Sequence, residues 1–124
     1  MLTYPVITGD SKYYHGGSIR NVSGKAELTA VEVEKFSLDK QVTPRTPPTF
    51  LWHTAADQLV PVMNSLLYAQ ALAENKVSFS MRIYPHGAHG LATADDQTCT
   101  TLQAPASEAN AWIQDAAKWL KDTL

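Results

Sequence analysis

The chain reads as an α/β protein with parallel strands and flanking helices. Three observations carry that reading. From Thr49 onward, short apolar runs alternate with helical patterns in a β-α-β-α order, which calls for crossover helices and parallel pairing. The run Thr49-Phe50-Leu51-Trp52-His53 is nearly continuous in apolar side chains, as suits a strand covered on both faces. Asp57 and His89 each fall just past the end of an expected strand, on the edge of an α/β sheet where ligands sit.

The elements follow in order. Leu2 to Thr8 is β-branched and aromatic and is expected as a strand. Pro5 cannot donate to a ladder, so it belongs near an edge, an end or a bulge. Gly9 to Gly24 is rich in turn residues and is expected as a loop with at most one helical turn. Ala26 to Phe36 has helical spacing, with Leu28, Val31 and Lys35 on one face and Ser23 upstream as a candidate cap. Ser37 is placed to cap a second short helix, Leu38 to Val42. Thr43 to Pro48 carries Pro44, Pro47 and Pro48 and reads as a connector entering the Thr49–His53 strand.

Asn64 or Ser65 then opens a helix to about Glu74 that is apolar nearly all round. Val77 to Ile83 alternates strictly, so one face is expected to meet core and the other something polar. Pro105 and Ser107 lead into a last helix to about Asp122. Its expected buried stripe is Ala109, Trp112, Ile113, Ala116, Trp119 and Leu120.

A chain of 124 residues is long enough for one domain with a real core, but short against the roughly 200 residues of a complete doubly wound α/β domain. The composition is ordinary and globular, 44% hydrophobic and 18% charged. With a net charge of −2 and its basic residues scattered, the chain gives no reason to expect nucleic acid or an anionic membrane as partner. Cys99 is the single cysteine, so no internal disulfide forms. Its polar surroundings fit a loop thiol without a structural role. No basic-flanked apolar leader and no run long enough to span a bilayer is visible. A soluble, cytoplasmic protein is the default expectation.

The chemistry candidates are an acid and a base. Taken singly, Asp57 is a turn residue before a Val-Pro pair, and His89 a glycine-flanked loop histidine. Taken together they match the last two members of a Ser…Asp…His order. A general base needs an imidazole on a loop and a carboxylate to hold its tautomer and orientation. Gly87 and Gly90 give that loop the freedom to bend over the strand ends. His86 and His89 form an H-x-x-H pair, but no third ligand stands beside them, so neither a metal nor any other cofactor is expected. His53 fits a hydrogen-bonded core histidine.

The nucleophile is harder to find, because no G-x-S-x-G occurs. Gly9-Asp10-Ser11 follows a strand but lacks the second glycine of an elbow. Ser37-Leu38-Asp39-Lys40 has the S-x-x-K pattern without its companion motifs, and fits a helix start. His15-Gly16-Gly17-Ser18 has the look of an oxyanion loop in the wrong place.

These residues resemble the C-terminal half of α/β-hydrolase esterases of the acetyl-xylan-esterase-like and prolyl-oligopeptidase-like branch. Tyr4-Pro5-Val6-Ile7 is similar to the strand after the nucleophile helix. Gly17-Ser18-Ile19-Arg20-Asn21 resembles the entry to the helical insertion. Ser37 to Pro44 and Pro47 to Phe50 resemble the approach to the acid-bearing strand. His53 to Val62 with Asn64-Ser65 matches the acid loop, and Tyr84 to Leu91 the base loop. The resemblance implies that residues 1–124 are the C-terminal segment of one α/β-hydrolase domain. It implies Asp57 as triad acid, His89 as triad base, and small acyl esters as substrates, acetyl groups on sugars among them. The nucleophile and oxyanion hole are then expected outside these residues. A sheet of about three strands also leaves an open edge, so a partner is expected: a second copy or the N-terminal half. A non-catalytic dimerisation or binding module and a small hydrolase using Ser11 are the alternatives.

Overall fold

The computed structural model describes residues 1–95 and 108–123. Cys99, Asp96 and the Pro105–Ser107 entry to the last helix lie outside them. Strand β1 (Leu2–Thr3) is followed by helices α1 (Gly16–Ser23) and α2 (Ala30–Phe36). A short 3-10 turn (Leu38–Gln41) comes before strand β2 (Thr49–Thr54), helix α3 (Met63–Glu74) and strand β3 (Phe79–Tyr84). A second 3-10 turn, Ala109–Ala111, leads into helix α4 (Trp112–Thr123).

The strands form one parallel sheet in the order β1-β2-β3, with Leu2 opposite Leu51 and β2 and β3 in register from Thr49–Phe79 to Thr54–Tyr84. β2 is buried at every residue, as its unbroken apolar run requires. Its two faces serve two cores. Phe50 and Trp52 pack with Leu91, Ala94, Ala109 and Ala116 beneath α4, where Trp52 stacks on Trp112 at 5.3 Å. Leu51 packs on the opposite side with Val42, Ala69, Leu72 and Val77 beneath α3. Fully burying each large apolar side chain contributes roughly 1.5–3 kcal/mol. Helices on both faces of a parallel sheet are the α/β architecture expected from the sequence.

Several local expectations are corrected. β1 stops at Thr3, because Tyr4 turns away at a φ of 36°. The amides of Ile7 and Thr8 go to Asn64 Oδ1 at 2.9 and 3.0 Å. A side chain thus replaces the ladder that the Leu2–Thr8 pattern suggested. The expected Gly9–Gly24 loop contains all of α1. His15 caps it, its Nδ1 accepting from the Ser18 amide at 3.3 Å, and Gly24 closes it at a φ of 71°. An imidazole cap followed by two glycines carries no ordinary helix-start signal.

α2 begins at Ala30, not Ala26. Its cap is Thr29, in a reciprocal box with Glu32, while Ser23 ends α1. The segment after Ser37 is a 3-10 turn, and the Ser37 hydroxyl accepts from the Gly9 amide at 3.0 Å instead of capping it. α3 starts at Met63, and β3 at Phe79, just after Val77. On β3, Phe79 and Met81 reach the α3-side core, whereas Ile83 on the same face stays 38% exposed. The α4 stripe is narrower than expected. Ala109 and Ala116 are buried and Trp112 and Trp119 pack on the core, but Ile113 and Leu120 are more than a third exposed. Among the described residues no helix is long and apolar enough to cross a membrane.

Candidate active site

The site is built where β2 and β3 end. Beyond Thr54 the chain turns, and Asp57 folds back over its own loop. Its Oδ1 accepts from the amides of Leu59 and Val60, both at 2.9 Å. This is the short-range bonding that Asp makes readily in turns, and it points the second carboxylate oxygen away from the loop. The loop is tied down from below. Asn64, fully buried on α3, donates through Nδ2 to the carbonyls of Tyr13 and Pro61 at 2.8 and 3.0 Å.

The base loop follows β3 and is anchored to the acid loop. The Ala55 amide donates to the Tyr84 carbonyl at 2.7 Å, and the Thr54 hydroxyl to the Gly87 carbonyl at 2.6 Å. Gly87 has a φ of 124°, and a Cβ there would stand 2.6 Å from Leu91 Cδ1 and 3.1 Å from Thr54 Cγ2. The glycine is therefore required twice, by its backbone and by its neighbours. Leu91, fully buried, pins the far side of the loop.

His89 is thereby brought back over the strand ends. Its Nδ1 lies 2.8 Å from Asp57 Oδ2. The ring packs edge-on against Tyr4 at 4.8 Å, and Tyr4 in turn packs on Trp52 at 5.2 Å. Asp57 is closed to solvent at its side chain, while His89 keeps 26% of its side chain exposed. A carboxylate can only accept, so Nδ1 carries the proton and Nε2 is the free basic nitrogen. Among the described residues, His89 Nε2 makes no hydrogen bond. The arrangement is an oriented imidazole base presented at the carboxyl edge of a parallel sheet.

The same carboxylate has a second imidazole partner that sequence reasoning missed. His53 Nε2 sits 3.2 Å from Asp57 Oδ2 and 2.9 Å from the Val60 carbonyl, and its Nδ1 sits 2.8 Å from the Ser65 hydroxyl. The expectation of a hydrogen-bonded core histidine held, but its partners follow from where the turn after β2 returns, which no spacing rule reports. Burial pushes the His53 imidazole below its ordinary range, against the opposing pull of the Val60 carbonyl and Asp57.

The other candidates separate from this cluster. His86 is exposed and points to no metal group, and among the described residues no set of three or more His, Cys, Asp or Glu side chains is arranged to hold a metal ion. Ser11 lines a cavity with Tyr14, Glu27 and Leu28, and no hydrogen bond joins it to His89. Ser37 is buried among the backbone it supports. Ser18 lies in the first turn of α1 and bonds His15 at 2.8 Å.

A parallel sheet with helices on both faces, whose loops carry a carboxylate and an imidazole at its carboxyl edge, has the fold of an α/β hydrolase, as its likeness to solved structures shows. The model of the prolyl oligopeptidase family matches residues 11–123, and the chain belongs to that family. It is similar to endo-1,4-beta-xylanase B of Butyrivibrio fibrisolvens, with 47% identity over 78% of this chain and 15% of the relative. It is similar to the acetylxylan esterase of Xylanibacter ruminicola, with 33% identity over 73% of this chain and 19% of the relative. Among solved structures, the acetyl ester-xyloside bifunctional hydrolase of Caldicellulosiruptor lactoaceticus superposes with a TM-score of 0.79 and 39% identity, over 98% of this chain and 41% of that one. The chain thus spans less than half the length of each of these proteins.

Proposed function

We propose that this chain supplies the acid and base of a Ser-His-Asp carboxylic ester hydrolase. The observation that carries the reading is the 2.8 Å contact between His89 Nδ1 and the buried Asp57 carboxylate. In this reading His89 Nε2 takes the proton of a serine hydroxyl as it attacks the ester carbonyl, then returns it to the leaving alcohol. Asp57 holds the ring in the Nδ1–H tautomer and stabilises its charged form.

The serine and the oxyanion hole belong to a segment outside these residues. The packing of His89 on Tyr4 favours the β1 side for that segment. β1 is an edge strand of this sheet. A strand paired in parallel on its outer side would end, and turn, beside the His89 ring. Residues 1–124 are then the C-terminal segment of one hydrolase domain, completed by association along that edge. Small acyl esters are the substrate class, with acetyl groups on carbohydrate as the first candidates. Likeness to the acetylxylan esterase and the acetyl ester-xyloside hydrolase supports this choice.

The test is a chimaera in which residues 1–124 replace the matching segment of the Caldicellulosiruptor lactoaceticus hydrolase, assayed on p-nitrophenyl acetate. Asp57→Asn is expected to lower kcat by roughly 10⁴-fold and His89→Ala by roughly 10⁶-fold. Unchanged turnover in His89→Ala would refute the reading. The purified chain alone, with its mass checked, is expected to be inactive. Turnover by it that Ser11→Ala abolishes would favour a self-contained site.

A further inference from the structure

His53 is the titratable side chain in this cluster that the acid and base roles leave unused. It is fully buried at the end of β2, where an apolar side chain would fill the core without a polar atom to satisfy. All its polar atoms are engaged. The Val60 carbonyl at 2.9 Å can only accept, so Nε2 carries the proton. The buried ring is neutral, so Nδ1 accepts from the Ser65 hydroxyl at 2.8 Å. A single N–H therefore faces both the Val60 carbonyl and Asp57 Oδ2, the oxygen that also receives His89 Nδ1–H. With Oδ1 held by the Leu59 and Val60 amides, the carboxylate cannot rotate without breaking bonds at both oxygens.

The neutrality of this donor is useful. Lys or Arg beside Asp57 would compensate the negative charge that the protonated base relies on. A neutral N–H orients the carboxylate and leaves its charge in place. Among the described residues, the charged and titratable groups facing the ring are Asp57, from the loop after β2, and His89, from the loop after β3, while α3 presents the uncharged Ser65.

We propose that His53 is a positioning residue for the Asp57–His89 pair: held by the Ser65 hydroxyl at Nδ1 and by the Val60 carbonyl at Nε2, it aims Asp57 Oδ2 at the His89 Nδ1–H. The proposal rests on the acid and base roles assigned above. It is tested on the 124-residue chain labelled with ¹⁵N-histidine, whose ring tautomers are read from long-range ¹H–¹⁵N spectra. In the wild-type chain His53 is expected as the neutral Nε2–H tautomer and His89 as the Nδ1–H tautomer.

Two substitutions separate positioning from packing. His53→Gln places an amide donor near the original Nε2, within reach of Asp57. His53→Asn places one near Nδ1, within reach of Ser65 but short of Asp57. His89 is expected to keep its single tautomer in His53→Gln and to become a tautomer mixture in His53→Asn. In the chimaera, His53→Asn is expected to lower kcat about tenfold at unchanged KM, the value of one positioning hydrogen bond, with His53→Gln restoring it.

An unchanged His89 tautomer and kcat in His53→Asn would overturn the proposal, as would a wild-type His53 protonated at Nδ1. If His53→Asn does not fold, the wild-type tautomer and His53→Gln decide, and a His89 tautomer lost in His53→Gln despite its amide counts against the proposal. A wild-type His89 without the Nδ1–H tautomer would instead remove the Asp57–His89 reading itself, a separate result.

Discussion

Gly87→Ala tests how tightly the base loop is built. At a φ of 124° an L side chain is strained, a cost of about 1–3 kcal/mol. The new Cβ would also stand 2.6 Å from Leu91 Cδ1 and 3.1 Å from Thr54 Cγ2. Leu91 is fully buried and Thr54 nearly so, so neither can retreat freely, and overpacking adds about 1–3 kcal/mol. Alanine also stiffens the unfolded chain, returning about 0.4–1 kcal/mol. The net expectation is a loss of about 3 kcal/mol. Gly24→Ala is the control. Its φ is 71°, but nothing lies within 4 Å of the added Cβ, so only the backbone term applies, about 1 kcal/mol or less after the same offset. For a chain of this size 1 kcal/mol shifts Tm by about 4 °C. Thermal unfolding followed by circular dichroism should then show a drop of about 12 °C for Gly87→Ala and about 4 °C or less for Gly24→Ala. Equal drops would refute the steric argument and mean that the loop opens without cost to the core.

Asn64→Ala removes the acceptor of the buried Ile7 and Thr8 amides and the donor to the Tyr13 and Pro61 carbonyls. Denaturant titration should show a loss of roughly 3 kcal/mol or more, and a loss under about 1 kcal/mol would mean that water replaces the side chain. Thr29→Ala breaks the capping box of α2. It should cost only about 1 kcal/mol, read from the same titration. His53 makes stability depend on pH. Its folded pKa is depressed by burial, so the unfolded chain binds the extra proton as pH falls below about 6.5. Its contribution is therefore fully present above that value and is lost as pH falls toward the folded pKa. Tm should decline between pH 7 and 5, with a shallower slope in His53→Gln; parallel slopes would contradict the assignment.

Strands β2 and β3 and helices α3 and α4 were legible because their patterns reflect burial that tertiary structure reinforces. A continuous apolar run needs cover on both faces, and Thr49–Thr54 has it. Segments governed by single long-range polar contacts were not legible. Leu2–Thr8 has a strand composition, yet Asn64, far along the chain, takes the amides of Ile7 and Thr8. α1 starts on an imidazole cap ahead of two glycines, the reverse of what propensity favours. Periodicity reports what a face buries; it does not report where a distant side chain returns.

The same division runs through the candidate site. The sequence by itself determined that a carboxylate and then an imidazole stand on loops after strands, since residue type and local turn chemistry are local properties. Tertiary structure alone decided that Asp57 Oδ2 meets His89 Nδ1 at 2.8 Å and that Tyr4 backs the imidazole ring. It also decided that His53, read as a core residue, shares that carboxylate. Those contacts depend on the parallel register of β2 with β3, which brings both loops to one edge of the sheet, and register is set by the packing of whole faces.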